Sequence, residues 1–129
     1  MNAEQFKART KAFALRVVKL ATSLPRNRVG EVFARQMIRS GTSVAANYRA
    51  ACLARSRAEF VSKMGIAQEE ADETMFWIEM IVDAGLVKSP LVEGLIRENK
   101  EVLAIIIASR KTAKAKREGP LATQAQPRT

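Results

Sequence analysis

The 129-residue sequence predicts an all-α fold, an antiparallel up-and-down four-helix bundle with short loops, and three observations predict it. Apolar residues recur at spacings of three, four and seven along four stretches, the pattern of a helix that buries one face. Alanine, leucine, arginine, lysine and glutamate dominate, all strong helix formers, and no stretch sustains the alternation of a strand. Stop and start signals separate the four stretches by a few residues only, and short connections force neighbouring helices to run antiparallel.

Asn2 is placed to cap the first helix, with Gln5 three residues on to complete a capping box. Phe6, Phe13, Val17, Leu20 and Leu24 then share a face, and Pro25 ends the helix by pushing its predecessor out of helical geometry. Asn27 caps the second helix, whose stripe is Val29, Phe33, Met37, Val44, Tyr48 and Ala51; Gly41 in its middle allows a bend. Ser56 with Glu59 repeats the capping box and opens the third helix. Its stripe of Phe60, Met64, Ala67, Ala71, Met75, Ile78 and Val82 runs to a stop at Gly85. Ser89 and Pro90 start the fourth helix, with Leu91, Leu95, Val102, Ile105, Ile106 and Ser109 inward. Residues 1–113 are expected to form the bundle. Residues 114–129 read as a basic, disordered tail, because Leu121 is the one large apolar residue there.

Composition narrows the chemistry. Histidine is absent, which removes the commonest general base and the commonest neutral metal ligand. Cys52 is the single cysteine, so no internal disulfide or thiolate zinc site forms, and it reads as a small buried hydrophobe. Carboxylate metal centres in bundles need acids from several helices with histidines beside them, and here the acids concentrate on one helix. Serine catalysis has no base to serve it. No catalytic residue, metal site or cofactor is expected. The longest apolar run, Val102 to Ala108, is far too short to span a bilayer, so a soluble cytoplasmic protein without a membrane partner is the expectation.

The net charge of +9 is uneven: +10 over residues 1–57, −6 over 58–83 and +5 over 84–129. Glu69, Asp72, Glu73, Glu79 and Asp83 nearly share one stripe. That stripe is either solvated or meets Arg35, Arg39, Arg49, Arg55 or Arg57, in the same subunit or a neighbour. The block from Arg39 to Arg49 places small and polar residues where the pattern calls for core. Ser40, Gly41, Ala45 and Ala46 allow close helix approach, while Asn47, if buried in a helix contact, would fix register as isolated polar residues do in coiled coils.

The ordered set of Gln36 to Arg49, Ala54 to Phe60, Glu69 to Thr74 with Trp77, and Ser109 to Ala113 resembles the bacterial four helix bundle protein family. Its members are also called 23S ribosomal RNA intervening-sequence proteins, a name that describes where their genes lie. The resemblance runs from about Phe13 to Lys114, and is more distant to the accessory variability proteins of diversity-generating retroelements. Many relatives carry a glutamate near positions 50 and 51, where this chain has Ala50 and Ala51. The resemblance implies a homo-oligomer, with a pentameric ring as its form, and no catalytic activity. Its partners would be other copies of itself, RNA or DNA, and by the retroelement analogy a reverse transcriptase or another protein.

Candidate nucleic-acid contacts are Arg26, Arg28, Arg35 and Arg39 on the second helix with Arg110, Lys111, Lys114, Lys116 and Arg117 at the C-terminal end. Lys7, Arg9 and Lys11 extend them. Such groups touch phosphates without reading sequence. Candidate helix-joint or oligomer residues are Ser43, Asn47, Tyr48, Ser56, Glu59, Glu70, Glu73 and Trp77. The alternative reading is a protein-interaction adaptor whose basic surface meets an acidic partner, without any nucleic-acid role.

Overall fold

Four helices form where the caps predict them. In the computed structural model, which describes residues 1–118 with side chains through Lys116, they are α1 (Ala3–Thr22), α2 (Arg28–Cys52), α3 (Arg57–Asp83) and α4 (Glu93–Glu118). A 3₁₀ turn, Ser89–Leu91, precedes α4. The Asn2 side chain accepts from the Gln5 N–H at 2.8 Å while Gln5 accepts from the Asn2 N–H at 2.9 Å, a complete capping box. Asn27 accepts from the Gly30 N–H at 2.8 Å. Ser56 accepts from the Glu59 N–H at 3.0 Å, but the Glu59 carboxylate reaches one residue further back and accepts from the Arg55 N–H. At the end of α3, Gly85 takes a φ of 78°, and the Leu86 and Gly85 N–H groups bond the carbonyls of Ile81 and Val82. This left-handed stop is one a residue with a Cβ enters only under strain.

The contacts establish the antiparallel order. Phe6 stands edge-on to Tyr48, and further along α1 Val17 meets Gly41. Trp77 of α3 packs on Phe33 of α2, while the earlier Thr74 reaches the later Ser40. Each helix packs along its length on the next, whereas α1 and α4 meet over a short stretch. The core between them holds Phe13, Met37, Met64, Ile78, Val102 and Ile106, none accessible to solvent. Gly41 leaves α2 unbroken and serves the α1–α2 contact: a Cβ there would lie 2.9 to 3.2 Å from the Val17 side chain.

Several expectations shift by one position. Val29 is exposed and Gly30 is buried in its place, so tightly that a Cβ would stand 2.0 Å from the Pro25 carbonyl oxygen. Leu91 belongs to the 3₁₀ turn and is exposed, and the adjacent Val92 enters the core. In each case the residue expected inside lies in a first turn, where the helix axis is not yet set and a neighbour takes the inward direction. Cys52 is half-buried on the wall of an open pocket, not a core residue.

Helix α4 also outlasts the expected boundary at residue 113 by five residues. Lys114 to Glu118 are good helix formers, and lysines in a last turn oppose the negative end of the helix dipole. The rest of the expected tail, including Leu121, lies outside the described residues. No described helix is long and apolar enough to cross a membrane.

Ser40, Thr74 and Asn99 are fully buried in the core, and the sequence did not show which partners they would find there. Thr74 Oγ1 lies 2.9 Å from Ser40 Oγ and 2.8 Å from the Glu70 carbonyl, and Ser40 Oγ also faces the Met37 carbonyl. The two hydroxyls satisfy one another across the α2–α3 contact, and backbone carbonyls take up the remaining proton. Asn99 of α4 is fully buried. With its amide turned to satisfy both ends, it donates to the Ala71 carbonyl at 3.0 Å and accepts from the Met75 N–H at 3.3 Å. It thus joins one turn of the α3 backbone.

Candidate nucleic-acid interface

One end of the bundle is built from the start of α1, the end of α2, the start of α3 and the second half of α4. An open pocket of about 570 Å³ there is lined from all four, among others by Phe6, Tyr48, Cys52, Phe60, Ile105 and Ser109. Burial, with the adjacent Cys52 second, holds the Tyr48 phenol well above its usual range and keeps it neutral. Helix dipoles cannot charge this end, because two N-termini and two C-termini meet there and offset one another. Its sign is set by side chains.

Those side chains are overwhelmingly basic. Arg49, Arg55, Arg57, Lys111, Lys114 and Lys116 are all exposed here, with Lys7 and Lys11 one and two turns along α1. The nearby acids among the described residues are already engaged. Glu4 pairs with Lys7 at 3.1 Å, and Glu59 lies 3.8 Å from Arg55 while accepting its backbone N–H. Arg110 is not a free contact: it lies over Gly65, where a Cβ would stand 3.1 Å from its Nε, and that Nε donates to the Val61 carbonyl. Because Arg110 is level with Val61, Lys114 is level with Arg57 at the start of α3, and α4 continues about one turn past it, carrying Lys116 beyond the first residue of α3. The Arg117 side chain lies outside the described residues.

The sequence-derived basic set is thereby divided. Arg26, Arg28 and Arg35 are exposed but lie towards the opposite end, on the α1–α2 loop and the first half of α2. Arg39 is held by carboxylates: its guanidinium bonds both oxygens of Glu70 at 3.1 and 3.2 Å and also bonds Glu73. The hydrogen bonds to Glu70 and then Glu73 drive its pKa further up. The Trp77 indole N–H donates to the same Glu73 at 3.0 Å, and that bond, followed by Arg39, holds the Glu73 carboxyl below the usual range. Arg49, Arg55 and Arg57 join the basic end instead; in the sequence they suggested partners for the acidic stripe.

A second fork of the same design closes the bundle. Arg9 of α1 bonds both oxygens of Glu98 on α4, at 2.7 and 2.8 Å, and reaches Glu101 at 2.6 Å. The arginine's hydrogen bond holds the Glu98 carboxyl below its usual range. Of the acidic stripe, only Glu73 meets an arginine among the described residues. Glu69, Asp72, Glu79 and Asp83 are exposed. Asn47 also finds its partners locally, donating to the carbonyl and hydroxyl of Ser43 one turn back on α2, both at 2.9 Å, and not to a second helix.

A sequence model of the family described as 23S rRNA-intervening sequence protein matches residues 4–108. A crystal structure of a protein with unknown function from the S23 ribosomal protein family of Bacteroides thetaiotaomicron VPI-5482 superposes with a TM-score of 0.80 at 33% identity, covering 86% of this chain and 99% of that one. None of the curated proteins matches the sequence. The matched span takes in α1, α2 and α3 and most of α4, and the solved relative carries the same bundle, so the chain belongs to the 23S rRNA-intervening sequence protein family.

Proposed function

We propose that the protein is a non-catalytic, self-assembling helical bundle of the cytoplasm that binds RNA or DNA at its basic end through phosphates. The observation that supports this reading most is the gathering of Arg49, Arg55, Arg57, Lys111, Lys114 and Lys116, remote in sequence, around one end where Glu4 and Glu59 are already paired. Nothing at that end presents an ordered row of exposed aromatic rings for stacking bases, so binding is expected to be indifferent to sequence and governed by counterion release. Assembly into a ring, five-membered by family resemblance, would repeat the basic end around one axis and raise avidity without new contacts.

Binding of labelled RNA and DNA across a salt series tests this. The logarithm of affinity should fall linearly with the logarithm of salt concentration. Replacing Lys111, Lys114 and Lys116 by glutamine should reduce that slope by about 2 to 3, near one for each phosphate that is no longer neutralised. Assembled protein that binds neither nucleic acid at low salt would sink the proposal. The alternative, an adaptor for an acidic protein such as an enzyme that itself handles nucleic acid, gains support from the apolar pocket beside the same charges, because a protein segment could fill it.

A further inference from the structure

Two exposed stripes, on α2 and α3, have the same construction with opposite charge. On α2, Arg28, Val32 and Arg35 follow one another at spacings of four and three, and Val32 is 46% exposed. On α3, Asp72, Phe76 and Glu79 follow at the same four and three, Phe76 is 49% exposed, and Glu69 and Asp83 prolong the stripe at either end. All six charged groups are exposed, and among the described residues none forms an ion pair within the chain. On α3, Glu69 with Asp72 and Glu79 with Asp83 place like charges at helical spacing, which repel until an opposite surface meets them; on α2 the exposed Glu31 lies between Arg28 and Arg35, and the two arginines leave that stripe net positive. Phe76 packs edge-on against Trp77 yet keeps about half of its surface exposed, which gives the acidic stripe an apolar centre.

We infer that these stripes are the two halves of one self-association contact: the Arg28–Val32–Arg35 edge of one copy docks on the Asp72–Phe76–Glu79 edge of another. Val32 meets Phe76, and the arginines meet the carboxylates on either side. Apolar contact at the centre excludes water from the flanking charge pairs and strengthens them, while the charges set which edges pair. The halves lie on different helices, so each copy offers both. A head-to-tail contact of this kind closes into a ring when its rotation allows. The inference deepens the self-assembly reading and rests on it. It also gives Arg28 and Arg35 a role apart from the basic end.

The test uses two charge-swapped full-length variants, Arg28→Glu with Arg35→Glu and Asp72→Arg with Glu79→Arg. Mass is read by light scattering, and helicity by circular dichroism. Each variant alone presents like-charged edges and should be folded but monomeric, whereas an equimolar mixture restores opposite charges at each contact between unlike copies and should assemble, with both variants in equal amounts, into chains or even-membered rings, since an odd ring cannot alternate two kinds of copy. Recovery in the mixture shows that neither variant failed through misfolding. A wild-type assembly whose mass survives in either variant alone overturns the assignment of faces. So does a mixture of folded variants that stays monomeric. A monomeric wild type would instead overturn the self-assembly reading, and this inference with it.

Discussion

The two arginine forks use one motif on two different seams. In both, an arginine on the earlier helix grips a glutamate and the glutamate three residues later: Arg9 with Glu98 and Glu101 between α1 and α4, Arg39 with Glu70 and Glu73 between α2 and α3. The α2–α3 seam is broad and secured beneath the fork by the Ser40–Thr74 hydroxyl pair and beside it by Trp77 against Phe33. The α1–α4 seam is short, and its fork is the more enclosed, with the Arg9 side chain 24% exposed against 48% for Arg39. The same chemistry is therefore expected to matter more where less else holds the helices together.

The largest effect should come from Arg9→Met, which keeps the aliphatic stem but leaves the enclosed Glu98 carboxylate without its partner. A loss of about 2 kcal/mol is expected in urea unfolding, with faster hydrogen exchange along α4. Arg39→Met should lose about 1 kcal/mol or less, because Trp77 still donates to Glu73 and the hydroxyl pair remains. Equal losses in the two variants would erase the distinction between the seams.

A smaller effect separates the forks by pH. Glu98 and Glu73 both have folded pKa values below their ordinary ones. Their contribution is therefore fully present above the unfolded carboxylate value of about 4.3 and is lost as the pH falls through the folded values. Urea midpoints should drop as the medium is acidified below about pH 5. The drop should be shallower in Arg9→Met, where Glu98 no longer has a depressed pKa to lose. An unchanged acid limb in that variant would remove Glu98 from the account.

Features written within one turn of sequence were legible. The Asn2, Asn27 and Ser56 caps, the Gly85 stop and the four-helix order follow from neighbours three to five residues apart. What depends on the fourth helix meeting the first or third was not. Asn99 falls on the inward stripe, four residues after Leu95 and three before Val102, but only the packed backbone of α3 supplies the partners that let an amide sit there. Arg110 looks free until Val61, 49 residues away, takes it up, whereas Arg39 was one of five arginines offered to the acidic stripe, and the packed α2–α3 seam singles it out. The basic end shows the converse: Arg49, Arg55 and Arg57 gain their company only because antiparallel helices bring the end of α2 to the end of α4.

The buried Asn99 amide has a consequence beyond its own bonds. Slipping α4 along α3 by one turn would displace it about 5.4 Å from the Ala71 carbonyl and Met75 N–H. An amide stranded in the core costs about 1 to 3 kcal/mol, enough to disfavour the slipped alignment by roughly fivefold to a hundredfold. Isoleucines at 105, 106 and 107 would tolerate such sliding; the amide does not. The reach of the lysine-bearing end of α4 beyond the bundle is thus measured off from inside the protein, by a side chain that never meets solvent.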